Sequence, residues 1–167
     1  MEAVVFMFCL TLHNTEEALW FTDWQTKNLP KSQTTPNKKH FIFSVIGITA
    51  LGYLAAGLFL LYPDVKVPEY AFIGFVGAMV INAAIPHLFF TAIYRKYCPG
   101  VFTGCVLIIP FHIIILCNAL ANGMAVAEML ISAFVVGLVL LGSIFALKRV
   151  AKIIFNETGS EERIESL

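Results

Sequence analysis

Charge is scarce in this chain. Only 13% of its 167 residues are Asp, Glu, Lys or Arg, against 59% hydrophobic, roughly half the charge of an ordinary soluble domain. That balance excludes a water-soluble globule of usual composition and leaves an integral membrane protein as the expectation. Cysteine is also sparse. Cys9, Cys98, Cys105 and Cys117 show no C-x-x-C spacing, so no disulfide framework is expected and the four thiols read as small apolar residues. No Lys or Arg precedes Lys27, which argues against a surface-lying amphipathic anchor with a basic polar face. Lacking also a small-residue cleavage site, the N-terminal stretch reads as a retained helix and not as a signal peptide. No internal repeat or soluble domain is evident, so any chemistry is expected among the helices and in the short loops at their ends.

What is present is a set of long uncharged runs. A hydrocarbon core of roughly 30 Å needs about 20 apolar helical residues. Phe41 to Leu61, Ala71 to Ile93, Val101 to Leu120 and Met129 to Leu147 each meet that need. A fifth run, Ala3 to Trp24, is apolar only in its first half. The expected fold is therefore all-α, a single five-helix transmembrane domain over residues 1–155. Its spans are expected near 2–24, 41–62, 69–95, 101–121 and 125–148, with a cytosolic linker over 25–40 and a cytosolic tail over 156–167. Basic residues set the orientation. With the N-terminus outside and the C-terminus cytosolic, the inner side collects Lys27, Lys31, Lys38, Lys39, Arg95, Lys96, Lys148, Arg149, Lys152 and Arg163, and the outer side keeps only Lys66.

Against that background the polar residues within the spans stand out, since a charged side chain at mid-membrane costs about 2.5–3.5 kcal/mol and marks a functional site by default. On an ideal helix Glu16 and Glu17 fall about 60° and 40° to either side of His13, with Trp20 and Trp24 continuing the stripe. Asn82 and His87 lie in the third span and His112 in the fourth. Counted from the inner span boundaries, His13 stands eleven residues in, Glu17 seven, His87 eight and His112 ten, which places them within roughly 6 Å in depth. They are expected to converge as metal ligands, with Glu17 completing the shell of His13, His87 and His112 and with Glu16 as general base. Zinc is favoured over iron or manganese. Glu128 is expected at the outer rim, and His40, in the basic linker, in solvent. Pro86 and Pro110 each remove a backbone donor from a helix interior, and a widened polar cavity between the third and fourth helices is one expectation that follows.

Taken in order, His13-x-x-Glu16-Glu17, Asn82 with His87, and Tyr97-Cys98-Pro99-Gly100 resemble the pattern of the small bacterial and archaeal membrane proteins named after the HXXEE motif. Their motifs run H-x-x-E-E, N-x-x-x-H and Y-x-P-G. Here Asn82 and His87 are separated by four residues, about 140° apart on an ideal helix, so the middle motif requires a kink or π-turn to realign it. The resemblance implies a multi-pass protein of a prokaryotic cytoplasmic membrane in which these positions matter, and it implies no particular substrate. Tyr97 and Pro99-Gly100 have their own reading as an interfacial aromatic and a tight turn.

The leading functional expectation is a membrane-embedded metal-dependent hydrolase acting on a lipid or lipid-linked small molecule, its His/Glu site near the cytosolic half of the bilayer. The alternatives are a transporter or proton-coupled carrier using the same Glu/His cluster, and a haem- or iron-dependent membrane oxidoreductase with His87 and His112 as axial ligands. An E-E-x-x-x-R protease motif fails because residue 21 is Phe. No nucleic acid is expected as a partner. Gly74, Gly77, Gly137 and Gly142 permit close helix contacts, within the chain or in a homodimer.

Overall fold

The computed structural model describes residues 1–30 and 37–155. It is all-helical, with no strand among the described residues. Five helices follow in chain order: α1 (Glu2–Asn28), α2 (Lys38–Leu61), α3 (Lys66–Tyr94), α4 (Val101–Ala121) and α5 (Val126–Ile154).

Local chemistry sets the ends. Leu29 precedes Pro30 and takes the extended conformation that a following proline imposes, stopping α1. The Asn37 side chain accepts from the Lys39 N–H at 2.8 Å and starts α2. Glu128 reaches back to the Ala125 N–H at 2.8 Å and accepts from the Tyr70 hydroxyl at the same distance. Its carboxylate is thereby occupied at the start of α5, at the rim and away from the histidines.

Four helices, α2 to α5, are long and apolar enough to cross a membrane, as expected of a membrane protein. The expectation of five is met only in helix number. α1 has the length, but His13, Asn14, Glu16, Glu17 and Asp23 lower its apolarity. It is nevertheless the helix most enclosed by the others, burying Phe6, Leu10, His13 and Glu16 among eleven residues, whereas α5 buries only Ala133 and Ala151. The bundle encloses these polar groups beside an apolar core and presents apolar residues outward, Phe134, Leu138 and Phe145 of α5 each being more than half exposed.

A core of Phe6, Phe59, Phe72 and Phe75 joins α1, α2 and α3 through stacked and edge-on rings. Gly74 and Gly77 bring α3 directly against Ser132 and Ala133 of α5, so these two serve contacts within the chain. At the opposite end, Lys38 pairs with Asp23 at 2.8 Å and Lys96 donates to Asn28 at 3.0 Å. The end of α1, the start of α2 and the end of α3 therefore share one basic rim. Residues 31–36 and 156–167, with Lys31, Arg163 and the expected tail, lie outside the described residues. His40 is not in solvent as expected. Helix α2 starts before it, and its ring is buried and stacked on Phe155 with centroids 6.0 Å apart.

Candidate metal centre

Both α3 and α4 widen into a π-turn beside a proline, α3 over Ala83–Leu88 with Pro86 inside it and α4 over Gly104–Ile108 just before Pro110. In α3 the stretch Ala83–Leu88 forms a π-turn, and Ile85, just before Pro86, leaves helical geometry at φ −132°, ψ 111°. A wide turn with i to i+5 bonding brings residues five apart nearly into line. Asn82 and His87 are such a pair, and both reach α1: Asn82 Nδ2 lies 3.3 Å from His13 Nε2 and 3.4 Å from Glu17 Oε1. The kink thus performs the realignment that the motif's altered spacing required.

His13, Glu17 and His87 form the centre. One potential ligand atom from each lies within 4.8 Å of the others, and their side chains are 0%, 13% and 1% exposed. Glu17 Oε1 is 3.3 Å from His13 Nε2 and 2.5 Å from His87 Nε2. The latter contact lacks hydrogen-bond alignment, and His87 Nε2 has no other partner among the described residues. The two imidazoles meet edge to face at 5.1 Å.

The other side of His13 fixes its tautomer. Its Nδ1 lies 2.9 Å from Thr103 Oγ1, and that hydroxyl donates to Glu16 Oε2 at 2.6 Å. A hydroxyl whose proton goes to the carboxylate can only accept from the ring, so Nδ1 carries the hydrogen and Nε2 turns a lone pair toward Glu17, His87 and the Asn82 amide. That is how ligating histidines are oriented in metal sites.

Glu16 receives three further bonds: from the Gly100 N–H at 2.7 Å, from the Thr103 N–H at 3.1 Å and from the Tyr97 hydroxyl. Four donors occupy both of its oxygens. Burial first and then the Glu16 carboxylate raise the Tyr97 phenol above its ordinary range, keeping it a donor. The Tyr-x-Pro-Gly stretch is therefore more than an interfacial turn, because it wraps onto Glu16. Gly100 sits at φ +94°, where a Cβ would come within 2.6 Å of the His87 ring, so glycine is required both by the backbone and by the imidazole. Cys98 is buried with its sulfur 4.0 Å from His87 Nδ1, and desolvation, then Glu17 and Glu16, push its thiol up to about 12.

His112 stands apart. It is fully buried, its ring lies 5.4 Å from that of Phe6, and neither nitrogen has a hydrogen-bond partner among the described residues. Counting depth from Phe102 as an inner boundary misplaces it, because Gly100 and Thr103 are already at the level of Glu16. Nine residues further along α4, His112 is about 13 Å beyond that level. Trp24 is buried against Phe90 as the stripe implied, but Trp20 is exposed and Phe21 takes the inward place instead.

The cavity is also not where the two prolines suggested. It holds about 520 Å³ and runs between α1, α2, α3 and α5, lined by Asn14, Glu17, Asn82, Ser44 and Lys148 among apolar residues, with none from α4. The kinked faces of α3 and α4 close on one another, Gly104 lying against Ala83. Thr103 and Gly100 had no signal in the sequence as partners of Glu16; only the Pro-Gly pair hinted at a turn.

Membrane-length helices around a buried His₂Glu group define the class: an all-helical membrane-type protein with a candidate cation site. The family described as proteins of unknown function with an HXXEE motif matches residues 4–115, and the chain belongs to that family. The uncharacterized protein YrkK of Bacillus subtilis (strain 168) is 42% identical over 140 residues, 83% of this chain and 88% of that protein. No solved structure matches.

Proposed function

We propose that this is a five-span protein of a prokaryotic cytoplasmic membrane, N-terminus outside and C-terminus cytosolic, working as a metal-dependent hydrolase on a lipid or lipid-linked small molecule. α1, about 40 Å long at 1.5 Å per residue, serves as the fifth span. Its acids are tolerated because they face protein. The observation that carries the reading is the group His13, Glu17 and His87, buried beside a cavity of about 520 Å³ that Glu17 itself lines.

Two imidazoles and one carboxylate are the ligand set of hydrolytic zinc sites, in which a further coordination position stays open. His13 Nε2, His87 Nε2 and Glu17 Oε1 would hold the cation, which would offset the burial of the carboxylate and supply an activated water. Tetrahedral ligands at 2.0–2.1 Å stand roughly 3.4 Å apart. The His13–Glu17 pair is at 3.3 Å already, and the His87–Glu17 pair, at 2.5 Å, has to part by roughly 1 Å. The Asn82 Nδ2 donor, now at His13 Nε2 and Glu17 Oε1, would give way to the cation. His112 has no part in this set.

Glu16 enters as a positioning residue and not as the base expected from the sequence. A carboxylate that already accepts four hydrogen bonds is a poor proton acceptor. Through Thr103 it aims His13, and through Gly100 it holds the loop against His87.

The test is metal analysis of protein purified from cells, for zinc, iron and manganese together. Near-stoichiometric zinc is expected in the wild type and in His112→Ala, with loss in His13→Ala and His87→Ala. Metal-free wild type, or metal retained in both histidine variants, overturns the proposal.

A further inference from the structure

The cavity is longer than the metal group needs. Along α5 its lining runs from Ala133 through Phe134, Leu138 and Leu141 to Lys148, fifteen residues or about 22 Å. Its character changes along that length. Among the described residues Lys148 is the one cation and Glu17 the one acid of the lining, and Lys148 has no ion pair or hydrogen bond among them. Lys148 lies at the basic rim, because Phe155, two turns further on, packs against His40 and Phe43 at the start of α2. Beyond Asn14, Glu17 and Asn82 the far half is apolar. One side is open: Ile81 and Ile85 of α3 and Phe134, Leu138 and Leu141 of α5 are each more than half exposed, on a surface whose composition suits lipid.

We infer that this groove takes an amphiphile with an anionic head group, entering sideways from the bilayer with its head at Lys148 and its chain along α5 past Glu17. Charge complementarity selects the head: an ammonium at the basic rim with no ion pair among the described residues attracts a carboxylate or phosphate, while a neutral or cationic head gains nothing there. The volume, about 520 Å³, is that of a small-molecule site. The inference rests on the hydrolase reading for the meaning of the occupant, though not for its binding. Gln25, beside the basic rim, and Glu17 are eight residues apart on α1 and both line the groove, about 12 Å in axial distance. The linkage presented to Glu17 is thus one in the body of the amphiphile and not the head itself.

Hexadecyl phosphate, palmitate and hexadecanol share one chain and differ in the head. Their retention by the full chain in nanodiscs of neutral lipid, measured by native mass spectrometry in the presence of a chelator, tests the inference without metal or turnover. Expected is at least tenfold stronger retention of an anionic probe than of the alcohol. The ratio between phosphate and carboxylate tells a phosphate-headed lipid from a fatty acid. Lys148→Gln should bring the anions down to the level of the alcohol, Lys148→Arg should restore them, and Arg149→Gln, on the exposed neighbour, should change nothing. Gly137 lines the groove and a Cβ there meets nothing within 4 Å, so Gly137→Leu adds bulk to the groove and should weaken all three probes. Equal retention of the three heads, an unaltered preference in Lys148→Gln, or full binding in Gly137→Leu overturns the inference. His13→Ala and His87→Ala should still bind the anions, so loss of metal in those variants and loss of head-group preference in Lys148→Gln report on separate claims.

Discussion

Three glycines separate backbone conformation from packing, and their alanine variants test the contact that seats His87. Gly100 and Gly123 both have strongly positive φ, +94° and +98°. A Cβ on Gly100 meets the His87 ring at 2.6 Å, one on Gly123 meets nothing within 4 Å, and Gly137, within α5, has the same empty surroundings. An L-residue in the left-handed region costs about 1–2 kcal/mol, and forcing a group into a packed site costs about 1–3 kcal/mol more. Gly123→Ala should therefore cost about 1–2 kcal/mol and Gly100→Ala about 2–5 kcal/mol, while Gly137→Ala should gain roughly 0.5–1 kcal/mol from helix propensity. For a chain of this size each kcal/mol moves Tm by about 2–4 °C. Thermal unfolding in mild detergent, followed by tryptophan fluorescence, should rank the variants Gly137→Ala, wild type, Gly123→Ala and Gly100→Ala from most to least stable. Metal content should fall only in the last. If Gly100→Ala and Gly123→Ala melt together, the loop does not press on the imidazole and the account of the Pro-Gly turn fails.

The remaining expectations follow from the network around Glu16. Thr103→Val keeps the shape but breaks both the bond to His13 Nδ1 and that to Glu16; metal affinity, read by competition with a chromogenic chelator, should drop about 10–100-fold with helicity unchanged. Glu16→Gln turns an amide toward backbone donors at Gly100 and Thr103 and should cost about 1–3 kcal/mol, and equal melting points would show that the clamp is not formed. A Cys98 thiol raised to about 12 stays protonated at neutral pH. Since the thiolate is the nucleophile, its alkylation in the folded protein should climb with pH beyond 9, where an ordinary thiol levels off, and should lag behind the exposed Cys105 and Cys117. Fast labelling of Cys98 at pH 7 would refute the buried setting.

The helices were legible in the sequence because apolar runs of membrane length are a local signal, although α1 runs on to Asn28, where Pro30 rather than the end of the apolar run stops it. The convergence of His13, Glu17 and His87 was legible too, since mid-membrane polar residues have few places to go and depth follows from residue count. What failed was counting through an entry loop. The depth of His112 counts only if α4 begins at a membrane face, whereas Gly100 and Thr103 dip inward to Glu16, a long-range contact spanning more than eighty residues that no local pattern announces. The exposed reading of His40 failed for a related reason: a basic neighbourhood describes the rim, not the inward face of the first turn of a helix. The cavity departs from expectation because a helix kink need not open a gap: here the kinks let α3 and α4 close together and leave the space to the other side of α1.

The adjacent glutamates make sense only once both sides of α1 are considered. Residues three and four beyond His13 lie on opposite flanks of the same face, so one carboxylate can be turned to each neighbour. Glu17 goes toward α3, where His87 and Asn82 meet it, and Glu16 goes toward the 97–103 segment, where it is saturated with donors. His13 lies between and is held from both flanks, through Thr103 on Nδ1 and by the Asn82 amide on Nε2. The motif is thus two interleaved pairs sharing one imidazole, His13 with Glu17 as the pair that the proposed reading gives to the cation and His13 with Glu16 as the orienting one. Glu17→Gln leaves the loop bonds intact, so it should abolish metal binding while moving Tm little, whereas Glu16→Gln should lower Tm more and metal affinity less. A result with the two variants reversed would mean that the carboxylate facing α3 holds the fold and the one facing the loop holds the ion, which the four donors on Glu16 argue against.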